Sequence, residues 1–569
     1  MELSDNAITV LQKRYLLKDA SGNVTETPEE MFLRVARNIA LAEEDYRNTP
    51  DYWAEKYYNL MVNLKFLPNS PALMNAGKSI GQLAACFVLP VEDSMESIFG
   101  TLKNAALILQ SGGGTGFSFS RLRPKSDIVR STGGMASGPV SFMKVFNTAT
   151  EVIKQGGARR GANMGILRVD HPDILDFIKI KRRAGELENF NISVAITDAF
   201  MDALYHDRDY ELMNPRDKSV SKKIRAKEVF DEIVESAWET GDPGVIFIDV
   251  INRSNPTPHV GVIESTNPCG EQPLLPYEAC VLGSINLGKY VLQEGKSPAM
   301  DYKTLAEDIN TAVRFLDDAI DVNKYPLPAV EKMHKGNRKI GLGIMGWADM
   351  LILLGIPYNS KRAYTLAETV MKFFRDTARN SSVALAKERG VFPYFQGSIY
   401  DSPGMPMPRN ATTTTIAPTG TLSIIADCSS GIEPLFAIAY KRAIMDTVLT
   451  EFNRYFLQCA KEMGFYSDAL ISDINQRGTL RGIKGIPPKI KKLFRTAHEI
   501  SYTDHIGMQA SFQKYTDNAV SKTINLPANA KKEDVTKAYF LAYEKGCKGI
   551  TIFRYGARKG TLVRFPDVD

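Results

Sequence analysis

Apolar positions recur at helical spacing through the first eighty residues, and then the rhythm changes. Met31, Phe32, Val35 and Ile39 fall on one face of a helix. Ahead of them, Thr27-Pro28-Glu29-Glu30 reads as a helix start. The hydroxyl can take a free N–H of the first turn, and proline costs nothing there because its missing N–H has no helical partner anyway. From about residue 81, short apolar runs bounded by glycine alternate with longer amphipathic stretches. Cys86-Phe87-Val88-Leu89, Gly244-Val245-Ile246-Phe247-Ile248 and Gly549-Ile550-Thr551-Ile552-Phe553 read as strands. Pro139 to Ile153, Ala226 to Thr240, Tyr302 to Ile320 and Lys361 to Arg389 read as helices. Strands alternating with helices predict an α/β architecture with a largely parallel sheet. No long linker, repeat or low-complexity tract interrupts the pattern. The expectation is a helical domain over residues 1–80, followed by one large catalytic domain over residues 81–569.

Composition narrows the class without naming a chemistry. At 569 residues, with 44% hydrophobic and 24% charged positions, the chain is an ordinary globular protein with a substantial core. A net charge of +5 is too small at this length to imply a nucleic-acid partner. The basic runs Lys179-Ile180-Lys181-Arg182-Arg183 and Lys489-Ile490-Lys491-Lys492 read as solvated faces, able to meet at most a small anion such as a nucleotide phosphate. The opening Met-Glu-Leu-Ser-Asp-Asn lacks the features of a signal peptide, and no apolar run approaches the ~20 residues that span a bilayer. No membrane association and a cytoplasmic location are expected. Six cysteines occur without a CxxC pair, so neither a zinc site nor a thioredoxin motif is indicated, and no metal ligands are assigned. In a reducing compartment a disulfide is transient and catalytic rather than structural.

Candidate chemistry concentrates in Thr266-Asn267-Pro268-Cys269-Gly270-Glu271-Gln272. A thiol sits on a bend fixed by proline and glycine, with a carboxamide two residues before it and a carboxylate two residues after. At a loop tip inside a pocket these supply one-electron or nucleophilic sulfur, a hydrogen-bonding anchor and a general base. The alternative is a surface turn with an inert cysteine. Cys280 lies in the strand-like run Glu278 to Leu287 and Cys86 in Gln82 to Pro90; each by itself reads as a core residue. Ala417-Pro418-Thr419-Gly420-Thr421-Leu422-Ser423 follows the β-branched run Thr412 to Ile416. A strand leading into such a turn presents N–H groups and hydroxyls to an anion, unless it is a plain Gly/Thr turn. Gln110 to Gly116 allows close backbone approach. Two further matches are rejected. Gly341-Leu342-Gly343-Ile344-Met345-Gly346 has GxGxxG spacing but lacks the preceding strand and the acidic strand end of a dinucleotide site, so close helix packing is expected there. Gly283 to Lys289 nearly spells a P-loop, but Tyr290 replaces the magnesium-binding hydroxyl.

Taken together, Asn267-Pro268-Cys269-Gly270-Glu271, Cys86, Cys280 and the Pro418 to Thr421 loop resemble the large chain of ribonucleotide reductases. The likeness is greatest to the adenosylcobalamin-dependent class II enzymes. Leu67-Pro68-Asn69-Ser70-Pro71, the run Ser111 to Arg123, and Gly157 to Met164 carry it further, in order, from about residue 4 to 558. The resemblance implies a ten-stranded α/β barrel made of two antiparallel halves of five parallel strands, with a central finger loop carrying Cys269 and shielding its radical from solvent. Cys269 would be the thiyl site, Glu271 the base at the 3′ hydroxyl, and Asn267 the anchor for the substrate hydroxyls. Cys86 and Cys280 would be the two-electron donors. Ser70, Ala85, Gly114 and Pro418, Thr419, Gly420, Thr421 and Leu422 would touch substrate. Asp93, Ser131 to Ser137 and Lys179 to Glu188, with Lys181 and Arg182, would form a site for deoxynucleotide or ATP effectors at a homodimer interface.

The same resemblance implies ribonucleoside diphosphates as the substrate class, adenosylcobalamin as cofactor, and a thioredoxin-like reductant. Thr551-Ile552-Phe553-Arg554-Tyr555-Gly556 lacks the adjacent tyrosines of relatives that receive their radical from a separate metal-containing subunit, and lacks the order of a glycyl-radical motif. No Asp-x-His-x-x-Gly run is present to ligate cobalt. Neither an ATP-binding cone of about 100 residues nor a cysteine-bearing C-terminal tail is expected. Two alternatives stay open: a reductase chain fed by a metal-containing subunit, and a catalytically silent nucleotide-binding module.

Overall fold

Thr27 caps its helix as the sequence predicts. In the computed structural model, which describes residues 1–129, 133–155, 159–293, 297–444, 447–557 and 563–564, the Thr27 hydroxyl accepts from the Glu30 N–H at 3.2 Å. The Glu30 carboxylate accepts from the Thr27 N–H at 2.8 Å. The N-terminal helices are α1 (Asp5–Arg14), α2 (Pro28–Ala40) and α3 (Pro50–Val62). Met31, Phe32, Val35 and Ile39 form the buried stripe of α2.

Ten strands make the main sheet: β1 (Phe66–Pro68), β2 (Cys86–Pro90), β3 (Gly114–Ser118), β4 (Asn163–Arg168), β5 (Phe190–Ile196), β6 (Gly244–Phe247), β7 (Ala279–Asn286), β8 (Ile340–Met345), β9 (Thr523–Leu526) and β10 (Gly549–Arg554). Strands β2 to β6 run parallel in sequence order. Strand β6 meets β10 antiparallel, and β10 pairs with β9 in parallel. Residues just ahead of β9 continue the ring, because Val520 bridges in parallel to Ile416, and Thr414 bridges in parallel to Leu342 of β8. The Leu342 N–H donates to Thr413 at 2.8 Å and the Thr415 N–H returns to Leu342 at 3.0 Å. Strand β8 pairs with β7 in parallel, and β7 closes onto β2 antiparallel. Counting the extended Thr412 to Ile416 run, this is a barrel of five parallel strands facing five, joined at two antiparallel seams. Strand β1 lies antiparallel beside β7.

Helices pack around the barrel, among them α4 (Met95–Gln110), α5 (Pro139–Val152), α6 (Ala226–Thr240), α7 (Tyr302–Val322) and α8 (Lys361–Arg389). The N-terminal helices are tied to α7 and α8 by buried charge. Arg389 Nη2 lies 2.7 Å from Glu43, and its Nη1 lies 2.6 Å from Asp318, which also accepts from the Tyr57 hydroxyl at 2.5 Å. Pairing each of these buried charges is what makes their burial tolerable. Among the described residues no helix is long and apolar enough to cross a membrane.

The rejected glycine motif has a different basis from the one expected. Gly341 and Gly343 lie within β8 rather than at a helix contact. A Cβ on Gly343 would overlap the Thr415 carbonyl, and one on Gly341 would stand 2.6 Å from Gln272 Nε2. Glycine there admits another extended segment and the finger loop, not a helix. Gly283 to Lys289 forms the end of β7 and a 3-10 turn, not a phosphate loop.

Candidate active site

A short hairpin, Ser265–Thr266 paired with Pro273–Leu274, carries residues 267–272 across the barrel. Glycines in β3 let it in: a Cβ on Gly116 would overlap the Thr266 carbonyl, and one on Gly114 would come within 3.1 Å of Pro268. The tip is held from both sides. Asn191 Nδ2 on β5 donates to the Pro268 carbonyl at 2.8 Å. Across the barrel, Thr415 Oγ1 and the Ala519 N–H both donate to the Glu271 carbonyl at 2.9 Å. Thr415 and Ala519 stood out in no motif, since only ring closure brings them to the tip.

Cys86 and Cys280 sit opposite each other in the β2–β7 register, on one antiparallel seam. Directly opposed residues in such a pair have Cα atoms roughly 4.5–5.5 Å apart, within the span a disulfide bridges. Both are buried, and both are free thiols in this structure. Asn267 Nδ2 donates to Cys86 Sγ at 3.1 Å, while its Oδ1 accepts from the Gln272 N–H at 3.0 Å. Burial pushes the Cys86 thiol well up, and the Glu271 carboxylate adds to the shift, with Cys280 and Cys269 as further neighbours that disfavour its ionisation. That mutual influence puts the three sulfurs and the carboxylate in one electrostatic neighbourhood.

Glu271 is buried, and burial raises its carboxyl from 4.5 to about 7, against the opposing hydrogen bond from Asn267. Its Oε2 has no hydrogen-bond partner. A carboxyl balanced near neutrality can take or return a proton, and the raised thiols stay protonated and able to donate hydrogen. Cys269 departs from expectation. It is exposed, not enclosed, at the Pro268–Gly270 bend, where Gly270 takes φ +80°. The space a Gly270 side chain would occupy is open to 4 Å.

The remaining sequence candidates fall into two groups. Gly114 is the β3 partner of Cys86, and the Ala85 carbonyl accepts from the Gly114 N–H at 2.8 Å. Ala85 and Ala417 pack on the apolar cluster of Cys86 and Cys280, so the Pro418 to Leu422 loop begins beside the thiol pair. That loop leads into α9 (Leu422–Ile425), and Thr419, at φ +51°, takes the Gly431 N–H on its hydroxyl at 2.8 Å. Ser70 bonds the Tyr15 hydroxyl at 2.7 Å. The effector candidates lie apart. Asp93 holds Arg123 Nε at 2.8 Å. Lys181 and Arg182 require correction as outward-facing contacts. Lys181 is buried on the Phe190 carbonyl and Asp242, and Arg182 is taken by Glu232 at 2.6 Å and Glu239 at 3.1 Å. Solvated-face reasoning failed there because the acidic partners come from α6 and the turn after it. Ser131, and Gly157 with Ala158, lie outside the described residues.

The sequence also gave no sign of a buried ion pair beneath Cys280. Lys339 Nζ lies 2.7 Å from Glu278 Oε2, each side chain 1% exposed, and Cys280 Sγ contacts the Lys339 carbonyl at 3.5 Å. The Lys339 charge pulls the Cys280 thiol down against the larger upward push of burial. A lysine before a glycine-rich run looks like a surface residue until the β7–β8 register is known.

Residues 84–553 match the family model described as ribonucleotide reductase, barrel domain, and residues 1–81 match ribonucleotide reductase, all-alpha domain. The chain is 51% identical to the vitamin B12-dependent ribonucleoside-diphosphate reductase of Thermoplasma acidophilum, over 97% of this chain and 79% of that protein. It is 48% identical to the protein of the same name from Mycobacterium tuberculosis, over 99% of this chain and 80% of that protein. Among solved structures, the class Id ribonucleotide reductase alpha subunit of Actinobacillus ureae superposes with a TM-score of 0.79 at 23% identity, covering 97% of each chain. At that identity the last likeness speaks for the fold alone.

Proposed function

The chain belongs to the ribonucleotide reductase family, and on that premise we propose that it reduces ribonucleoside diphosphates to 2′-deoxyribonucleoside diphosphates with adenosylcobalamin as radical initiator. The observation carrying this reading is the convergence of Cys86, Cys280, Asn267 and Glu271 beneath one exposed thiol, Cys269. In this reading a thiyl radical on Cys269 takes the 3′ hydrogen of the ribose. Glu271 accepts the 3′ hydroxyl proton while Asn267 holds the sugar hydroxyls. The 2′ hydroxyl leaves as water, with a proton from the Cys86–Cys280 pair. That pair loses two protons and two electrons in all and becomes a disulfide, hydrogen replaces the hydroxyl at C2′, and Cys269 returns the 3′ hydrogen. A thioredoxin-like dithiol then restores the pair by exchange.

The residues present fit a cofactor that must reach this sulfur from outside. Cys269 is exposed and the space at Gly270 is open, so these two residues would meet it. His171, His334 and His505 each bond a backbone carbonyl, which leaves these three engaged within the protein. When bound, adenosylcobalamin supplies homolytic chemistry, a source of the unpaired electron.

Ser70, Ala85, Gly114 and the Pro418 to Leu422 loop would line the substrate. Residues 1–80 would form the helical domain and residues 81–569 the barrel domain. Exposed Met95 and Phe99 on α4 and Val145 and Val152 on α5 support a homodimer through these helices, with Asp93 near an effector nucleotide.

The test is an anaerobic assay with a ribonucleoside diphosphate and a dithiol, with adenosylcobalamin present or omitted. Product is expected only with the cofactor, and Cys269→Ala should abolish it while nucleotide binding persists. Product without cofactor or partner subunit overturns the cofactor assignment; equal turnover by Cys269→Ala overturns the mechanism.

A further inference from the structure

The C-terminal end of helix α1 meets the Pro418 to Leu422 loop and Ser70. At its last residue, Arg14 Nη1 donates to Thr421 Oγ1 at 3.2 Å. The next residue, Tyr15, shares a 2.7 Å hydrogen bond with Ser70. Both partners are lining residues in the proposed reading, and both are far from α1 in sequence. Arg14 Nε is buried without a hydrogen-bond partner. The guanidinium also approaches the Tyr15 ring, 5.5 Å from the centroid, and among the described residues no carboxylate pairs with it.

A guanidinium keeps its charge at any working pH and presents a planar fork of donors that matches phosphate oxygens. A guanidinium with no carboxylate partner gains from an anion placed beside its Nη groups, one of which already lies at Thr421. The loop itself cannot supply such charge, because Pro418 to Ser423 contains no lysine or arginine. Two of its hydroxyls are already engaged, Thr419 with the Gly431 N–H and Ser423 with Ser430 at 2.8 Å. The loop also has a direction. Ala417 packs on the Cys86–Cys280 cluster, where the ribose is reduced, so Thr421 lies farther along the loop, toward the end of a nucleotide remote from its sugar.

We propose that Arg14 binds the terminal phosphate of the substrate, so that helix α1 completes the nucleotide site and selects a diphosphate over a monophosphate. This rests on the reading of the site as a nucleotide reductase. A charge-assisted hydrogen bond of this kind should change affinity by about tenfold or more.

The test measures equilibrium binding of cytidine diphosphate and cytidine monophosphate to the full chain, together with steady-state reduction of the diphosphate. Arg14→Ala is expected to weaken diphosphate binding by about tenfold or more and monophosphate binding by less than about threefold, with the loss in turnover falling mainly on KM. Arg14→Lys should recover part of the diphosphate affinity. Equal loss for the two nucleotides, or no loss for either, overturns the proposal. A wild-type chain that binds diphosphate in preference to monophosphate through Arg14 but reduces neither would sink the functional reading and leave this contact standing.

Discussion

Replacing Glu271 with Gln should abolish activity and, as pH rises above about 4.5, leave the protein more stable than wild type. The folded carboxyl titrates at about 7 instead of 4.5, chiefly because burial disfavours its charge. A shift of that size corresponds to about 3 kcal/mol. The sign follows from linkage. A folded pKa above the unfolded one means that the fold favours the protonated form, so the stability the group lends is complete below pH 4.5. It is lost as pH rises through about 7. Gln keeps the shape but carries no charge, and Glu271 Oε2 has no hydrogen bond to forfeit. The two proteins should therefore unfold alike at pH 4.5 and differ by up to about 3 kcal/mol at pH 8. With 569 residues, an unfolding entropy of about 2.1 cal/mol/K per residue turns that into a Tm higher by about 2–3 °C for the variant at pH 8. Scanning calorimetry at both pH values measures it. In parallel, wild-type kcat/KM should climb with pH through about 7 as the base ionises, and the variant should show no turnover. A Tm difference that is the same at both pH values, or a variant less stable at pH 8, refutes the reasoning.

Two further substitutions address the supports of the site. Gly116→Ala places a methyl group on the Thr266 carbonyl, so the hairpin must shift. Turnover should fall by at least about a hundredfold, with about 1–3 kcal/mol lost in denaturant unfolding; an unchanged rate would show that the finger loop is not positioned by β3. Lys339→Met leaves Glu278 buried without its cation, at about 3–5 kcal/mol, and removes the charge that holds the Cys280 thiol down. Alkylation of Cys280 should then require higher pH than in wild type. Adding Glu278→Gln should restore stability, so a pH profile that does not move in either variant would separate Lys339 from the thiol.

The chain's own order of residues determined most of the secondary structure and the identity of the reactive groups. Helices such as Ala226 to Thr240 and Lys361 to Arg389 were legible because apolar spacing and caps are local properties, and they recur as α6 and α8 with the same bounds. The sharp turn around Cys269 was legible for the same reason, since proline and glycine act on their own backbone. What joins distant segments was not. The Thr412 to Ile416 run reads as one more β-branched strand, yet it closes the barrel and holds the finger tip through Thr415. Lys181 looked solvated because its acidic partner, Asp242, is sixty-one residues away. Lys339 and Arg14 likewise gain their meaning from β-sheet register and helix packing. Tertiary structure alone decided that Cys86 faces Cys280, that Glu271 is buried enough to titrate near 7 while Cys269 stays exposed, and which cations reach the site. Those properties depend on local dielectric and on through-space distance, which no local pattern along a chain encodes.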